Sequence, residues 1–145
     1  MVLKRESIIT RLQKLEEILN KLREKEEASF EQYEHDVNLQ WFVERGLELA
    51  SSLIFDIGNH ILAAAFRISV DEYEKILQEL QRQKVISENL YHALRGLGGF
   101  RNILVHGYLE LNWELVYTHY RRALQVFPVF IQEIMAWLES YGEGE

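Results

Sequence analysis

The chain has 145 residues, and 48% of them are hydrophobic, so it is long enough to fold as one domain, residues 1–145, around a single core. The absence of cysteine excludes disulfides and thiolate metal sites, and eight glycines and one proline are too few for the turns of a β-sandwich or barrel. The net charge of -7 argues against broad electrostatic binding of nucleic acid.

The first half of the chain has the hydrophobic spacing of two amphipathic helices. The first helix is indicated by apolar residues three and four positions apart, namely Ile8, Leu12, Leu15, Leu19 and Leu22. Ser29 and Gln32 then form the pattern of a capping box, which predicts the start of a second helix. Because no proline or turn signal follows, we expect this helix to continue without a break to about Phe66.

Three further helices are predicted in the second half. Ser69 and Glu72 have the spacing of another capping box before a short third helix, and Ser87 is a candidate cap for a fourth helix that continues to about Leu104. That fourth helix contains Gly96, Gly98 and Gly99, each of which costs a helix about 1 kcal/mol relative to alanine. Asn112 is the predicted cap of a last helix that ends near Tyr141 and contains Pro128, where we expect a kink. The prediction is an all-α, up-down bundle of about five helices.

The charges are distributed unevenly, and this bears on location and ligands. Residues 81–125 carry six basic and three acidic side chains, so an anionic ligand is expected there unless the asymmetry is only surface decoration. We expect no membrane-spanning segment, since no stretch approaches the roughly 20 apolar residues that cross a bilayer. Together with the lack of cysteine, this predicts a cytoplasmic protein.

One stretch, residues 100–108, combines side chains suited to phosphate chemistry. On a helix, Asn102 and His106 share one face, which would let the amide hydrogen-bond the imidazole and fix its tautomer. Arg101 lies about 140° around the axis and about 7.5 Å along it from His106, a separation that suits the two sides of a groove. A symmetric partner chain would bring a second arginine and histidine to the same groove, so a homodimer is expected.

Histidine exchanges protons near neutral pH, and arginine holds phosphate in a bidentate fork. In RNA the 2′-hydroxyl is itself the nucleophile, so His106 as base and Arg101 as stabiliser of the phosphorane would cleave RNA without a metal or another cofactor, whereas DNA lacks that hydroxyl. The alternative is structural: a buried arginine and a hydrogen-bonded histidine near a helix end. His60, four residues after Asp56, is interpreted as a core histidine bonded to that aspartate and not as a metal ligand.

These residues also resemble a known family. Arg101-Asn-Ile-Leu-Val-His106 matches the R-x4-6-H signature of the HEPN superfamily, and His106-Gly-Tyr108 completes the R-x4-H-x-Y form of HepT-like toxins. Further similar segments occur in the same order, namely Val43-Glu-Arg45, Asp56-Ile-Gly-Asn-His-Ile61, the region of Asp71-Glu-Tyr73, and Gly99-Phe-Arg-Asn. The resemblance covers most of the chain.

The resemblance implies an all-helical homodimer that acts as a metal-independent endoribonuclease, the toxin of a toxin–antitoxin pair. Its partner would be an MntA-like nucleotidyltransferase. Arg101 and His106 would be catalytic, Asn102 would support them, and Tyr108 would be the tyrosine that the antitoxin adenylylates. Two other classes stay open: a binding module that only partners a nucleotidyltransferase, and a structural helical bundle.

Overall fold

The structure of the chain is a computed structural model that describes residues 3–107, 109 and 111–142. All regular secondary structure within these residues is helical. The seven helices found there are α1 (Arg5–Arg23), α2 (Phe30–Glu34), α3 (Val37–Phe66), α4 (Tyr73–Arg82), α5 (Glu88–Leu94), α6 (Leu97–His106) and α7 (Trp113–Gly142). The predicted fold class is therefore confirmed, while the number of helices is larger than the five expected.

The three long helices α1, α3 and α7 pack against one another and enclose the core. The heptad-like apolar stripe of α1 is buried, as its leucine spacing predicts, and so are the apolar faces of α3 and α7. The shorter helices complete the bundle: α4 and α6 pack on α3 and on each other, and α5 packs on α4 and α7. This arrangement places α6 against α3 and α4.

Helix α3 has the same length as α7, 30 residues, and it is the more apolar of the two. In the part of the chain that the structure describes, it is the one helix whose length and composition suffice to span a membrane, with a mean hydropathy of 1.4 in its most apolar segment. We expected no segment of the chain to be long and apolar enough to cross a membrane, and by length and composition α3 is. Half of that segment is buried inside the protein, where α3 packs on α1, α4 and α6, as expected for the central helix of a bundle.

The second predicted helix is divided into two, so the expectation of a continuous helix is wrong. The Asp36 carboxylate accepts a hydrogen bond from the Leu39 amide and caps α3, while the Gln40 side chain donates to the carbonyls of Tyr33 and Glu34 at the end of α2. These two side chains satisfy the backbone groups that the break exposes, which removes the cost of interrupting the helix.

Two other boundaries differ from the prediction. Helix α4 begins at Tyr73, with Glu72 as an N-cap that makes no side-chain capping bond, so the box predicted at Ser69 does not form. The fourth predicted helix is two helices, because Gly96 adopts φ +89° between α5 and α6, a conformation that favours glycine. The caps predicted at Ser29, Ser87 and Asn112 are confirmed.

Side chains of α7 close the C-terminal end of α1. The Tyr120 hydroxyl donates to the Leu22 carbonyl at 2.6 Å, and the Tyr117 hydroxyl donates to the Ala28 carbonyl at 2.6 Å. In the reverse direction, Arg23 of α1 donates to the Leu124 carbonyl at 3.0 Å. The Glu24 amide already bonds carbonyls in the last turn of α1, so these side-chain bonds add to the cap and fasten the end of α1 and the segment after it to α7.

Candidate functional site

Helix α6 carries the predicted site residues. Arg101 and Asn102 lie in its middle, and His106 is its last residue, followed by Gly107 as the C-cap. The prediction for Tyr108 falls on a residue outside the described part of the chain.

The N-terminus of α6 is held by a carboxylate from α4. Glu74 accepts hydrogen bonds from the Gly96 amide at 2.8 Å and the Gly98 amide at 3.2 Å, and so supplies the cap that α6 does not have in its own sequence. A Cβ at Gly98 would lie 2.6 Å from the Tyr73 Cβ, so glycine is what permits the close approach of the two helices. Gly96 and Gly98 therefore have structural roles, whereas a Cβ at Gly99 would meet no atom within 4 Å.

The Arg101 side chain is half-buried between α3 and α4. Its Nε donates to the Ser52 Oγ at 3.1 Å, and its guanidinium carbon lies 5.3 Å from the centroid of the Tyr73 ring. Arg101 borders a cleft of about 420 Å³. The other lining residues come from α3 and α4, namely Leu49, Ser52, Leu53, Phe55, Asp56, Asn59, Tyr73 and Ile76.

Asn102 and His106 are both exposed on α6. The predicted hydrogen bond between the Asn102 amide and the His106 imidazole is not among the bonds formed within the described residues. The distance of four residues on one face permits such a bond, but exposed polar side chains bond water equally well. The imidazole of His106 is accessible to a ligand.

The two candidate catalytic residues point away from one another on a single chain. Arg101 turns toward α3 and α4, while five residues of helix place His106 about 140° around the axis and about 7.5 Å along it. Between and beyond them, the apolar residues Ile103 and Leu109 have 41% and 86% of their surface exposed. A single copy therefore leaves apolar surface uncovered beside the candidate residues.

Sequence reasoning missed a contact behind α6. The imidazole of His119 in α7 stacks on Phe100, with ring centroids 3.8 Å apart and planes inclined by 9°. Burial lowers the pKa of His119, and the nearby Arg122 lowers it further. The neutral imidazole packs as an aromatic surface against the residue that precedes Arg101. No local pattern pairs residues so far apart in the chain.

The interpretation of His60 is corrected in one respect. Asp56 forms an ion pair with Arg11, with 2.8 Å between Nε and Oδ2, and the His60 Nε2 is buried without a partner among the described residues. The guanidinium of Arg11 is always charged, which makes it a strong partner for the Asp56 carboxylate. In the same described part of the chain, no three His, Asp or Glu side chains are grouped so that they could hold a metal ion.

Comparison with known proteins agrees with this architecture. The profile of the family described as Ribonuclease HepT-like matches residues 8–134. The chain belongs to the HepT-like ribonuclease family. This membership confirms the predicted family and the prediction of an endoribonuclease.

Two relatives in this family have names that state an activity. The tRNA nuclease HepT of Aphanizomenon flos-aquae is 29% identical over 137 residues, which cover 94% of this chain and 92% of the relative. The mRNA nuclease HepT of Shewanella oneidensis is 30% identical over 105 residues, which cover 72% of this chain and 79% of the relative.

Solved structures show the same fold. The tri-AMPylated Shewanella oneidensis HEPN toxin, in complex with its MNT antitoxin, superposes with a TM-score of 0.81 at 26% identity, covering 92% of this HepT-like chain and 99% of the toxin. The cytosolic protein of unknown function YutE from Bacillus subtilis superposes with a TM-score of 0.80 at 21% identity, covering 97% and 95% of the two chains. The HEPN-like fold is thus confirmed.

Proposed function

We propose that this chain is a metal-independent endoribonuclease toxin in which Arg101 and His106 cleave RNA. The observation that carries the proposal is the placement of Arg101 in a HepT-like fold: its side chain is bonded to Ser52, covers Tyr73 and borders an open cleft. An arginine with a purely structural role would be expected to pair with a carboxylate or with backbone carbonyls, and Arg101 does neither within the described residues.

The proposed reaction uses the substrate's own nucleophile. His106 accepts the proton of the RNA 2′-hydroxyl, whose oxygen attacks the adjacent phosphorus, and the guanidinium of Arg101 stabilises the negative charge of the phosphorane. The bond to the 5′-oxygen of the next nucleotide then breaks, and this oxygen takes up a proton, which the protonated His106 or water supplies. The products end in a 2′,3′-cyclic phosphate and a 5′-hydroxyl. Because DNA has no 2′-hydroxyl, it is not a substrate. Asn102, which lies on the same face of α6 as His106, supports the site.

The proposed active unit is a homodimer with α6 near its two-fold axis. Two copies would bring an exposed His106 of each chain toward the Arg101 cleft of the other and would cover the apolar side chains of Ile103 and Leu109. A groove with two arginines would also provide local positive charge on a chain whose net charge is -7.

The proposed regulation is adenylylation by an MntA-like nucleotidyltransferase antitoxin in the cytoplasm. The similar Shewanella toxin is tri-AMPylated and bound to an MNT antitoxin, which supports the same type of partner for this chain. Tyr108 is the proposed acceptor, because it completes the R-x4-H-x-Y motif two residues after His106. Each added phosphodiester would bring negative charge and bulk to the groove and so oppose RNA binding.

The decisive experiment measures cleavage of tRNA and mRNA by the purified protein. Arg101→Ala and His106→Ala should each abolish cleavage while the circular dichroism spectrum and the melting temperature stay unchanged. His92→Ala is the matched control, because His92 is also an exposed helical histidine but lies on α5. Cleavage should persist in EDTA. A variant that unfolds, or activity lost on chelation, would contradict the proposed site.

The regulatory part has a separate test. After incubation with the cognate nucleotidyltransferase and ATP, intact mass should show added AMP on the wild type and none on Tyr108→Phe, which should remain active. Modification at another residue would refute the role of Tyr108. Tight binding to the partner without any RNA cleavage by the unmodified protein would instead identify a binding module.

Sedimentation tests the dimer. The wild type should be dimeric at micromolar concentration, and Ile103→Glu should shift it toward the monomer. Val129→Glu is the control, since Val129 on α7 is similarly exposed, at 38% against 41%. A monomeric wild type, or equal effects of the two variants, would refute a shared groove at α6.

A further inference from the structure

We infer that Ser52 and Tyr73 are positioning residues that hold the Arg101 guanidinium in one orientation, with its two terminal nitrogens presented to RNA. This inference rests on the proposed function, in which Arg101 contacts the scissile phosphate. Four features of the structure support it: the atom that Ser52 binds, the support behind the Tyr73 ring, the attachment of α6 to α4, and the partner of the carboxylate in the cleft.

Ser52 binds the Nε of Arg101, which leaves the two terminal nitrogens available to bind a phosphate together. A guanidinium has one N–H on Nε and four on its terminal nitrogens, and it can grip a phosphate by either of two edges. The bond of 3.1 Å from Nε to the Ser52 Oγ occupies the edge that contains Nε. The edge formed by Nη1 and Nη2 stays available, so the hydroxyl selects how a phosphate is bound.

The aromatic ring of Tyr73 packs against the Arg101 guanidinium. The guanidinium carbon of Arg101 lies 5.3 Å from the ring centroid, within the range of a cation–π contact. The Tyr73 ring is itself stacked on the buried ring of Phe55, with 4.5 Å between centroids and 27° between planes. Because the ring is supported by the core, the guanidinium rests on a rigid surface.

The backbone of α6 is fixed to the same helix that supplies this ring. The residue next to Tyr73 is Glu74, which binds the Gly96 and Gly98 amides at the start of α6. Gly98 allows the two backbones to approach so closely that a Cβ there would be 2.6 Å from the Tyr73 Cβ. Helix and guanidinium are thus located by adjacent residues of α4.

A carboxylate in the cleft is paired with a different arginine. Asp56 lines the same cleft, and it would compete with a phosphate for the guanidinium if it were unpaired. Its Oδ2 instead accepts a bond from the Arg11 Nε at 2.8 Å. Arg101 therefore contacts a hydroxyl and an aromatic ring, neither of which neutralises its charge.

Steady-state cleavage of RNA tests the two roles. Ser52→Ala and Tyr73→Leu should each lower kcat by about tenfold or more with little change in KM, because misplacing a catalytic group affects the transition state most. Ser52→Thr keeps the hydroxyl and Tyr73→Phe keeps the aromatic ring, so each should keep most of the wild-type kcat. Urea unfolding establishes whether each variant is folded. If Tyr73→Leu does not fold, the comparison of Ser52→Ala with Ser52→Thr alone tests the positioning of Arg101.

Two matched controls separate positioning from general disturbance. Ser140→Ala removes an exposed helical hydroxyl from α7, and Tyr91→Leu removes a ring that lies under Arg95 with 6.0 Å between the guanidinium carbon and the centroid. Neither should change kcat. An equal loss in these controls, or a rise in KM at constant kcat in the Ser52 and Tyr73 variants, would overturn the inference.

A second measurement does not depend on activity. In the wild type, the Nε–H resonance of Arg101 in an NMR spectrum should exchange slowly with water, because this proton is hydrogen-bonded. Ser52→Ala should accelerate its exchange by about tenfold, and Ser52→Thr should not. An unchanged exchange rate in Ser52→Ala refutes the positioning role even if the wild type cleaves RNA. If the wild type cleaves nothing, the proposed function fails while this measurement still decides how Arg101 is held.

Discussion

Replacing Glu74 removes the cap of the helix that carries both candidate catalytic residues. Its carboxylate binds two amides, one in an exposed and one in a partly buried position. Loss of an N-cap costs about 0.5–2 kcal/mol, and hydrogen bonds to charged groups contribute up to about 3 kcal/mol when water is excluded. Since solvent reaches part of this site, we expect Glu74→Ala to lower the free energy of unfolding by about 1.5 kcal/mol, and Glu74→Gln by about half as much.

Urea denaturation followed by circular dichroism measures this change, with the slope of the transition unchanged. In a chain of this size the melting temperature should fall by about 3–6 °C for the alanine variant. Glu17→Ala is the control, because Glu17 forms only an exposed pair with Lys14 on α1, which is worth at most about 0.5 kcal/mol. If Glu74→Ala costs no more than Glu17→Ala, the carboxylate does not hold α6 in solution.

Three further predictions concern stability. Gly98→Ala should destabilise by about 1–3 kcal/mol through the clash with Tyr73, whereas Gly99→Ala should stabilise by up to about 1 kcal/mol, as calorimetry can show; equal effects would contradict the close approach of α4 and α6. Because the folded pKa of His119 is lowered, the folded state resists protonation, so stability should fall as the pH drops through about 6.5, and urea midpoints of His119→Phe should lack this dependence. Burial raises the pKa of Glu44, so its contribution is present at acid pH and lost as the pH rises through that raised value; Glu44→Gln should raise the urea midpoint at pH 7 but not at pH 4, and a lower midpoint at pH 7 would contradict this.

Features that depend on neighbours in the chain could be predicted from the sequence. Ser29, Ser87 and Asn112 each cap a helix through the amide three residues later, so their residue types and spacing are sufficient. The apolar stripe of α1 likewise faces the core as its period requires. For the same reason, the motif from Arg101 to His106 could be placed on one helix before the fold was known.

Features that depend on contacts between distant parts of the chain could not be predicted from the sequence. The side chain that caps α6 comes from Glu74, and the hydroxyl that orients Arg101 comes from Ser52, 49 residues away. The break at Gly96 is visible in sequence only as one of three nearby glycines, and nothing local distinguishes it from Gly99. Asp56 has the correct spacing to bond His60, but the three-dimensional packing offers it the guanidinium of Arg11 instead.

The bonds between α1 and α7 have a consequence for synthesis of the chain. The hydroxyl that bonds the Leu22 carbonyl lies 98 positions later in the chain, and the one that bonds the Ala28 carbonyl lies 89 positions later. Arg5 donates to the Leu138 carbonyl, 133 positions later. These contacts cannot form until α7, as far as Leu138, has left the ribosome. A prematurely terminated product would lack one wall of the core as well as these partners. A chain that stops before α7 would therefore not complete the core on which α1 and α3 pack.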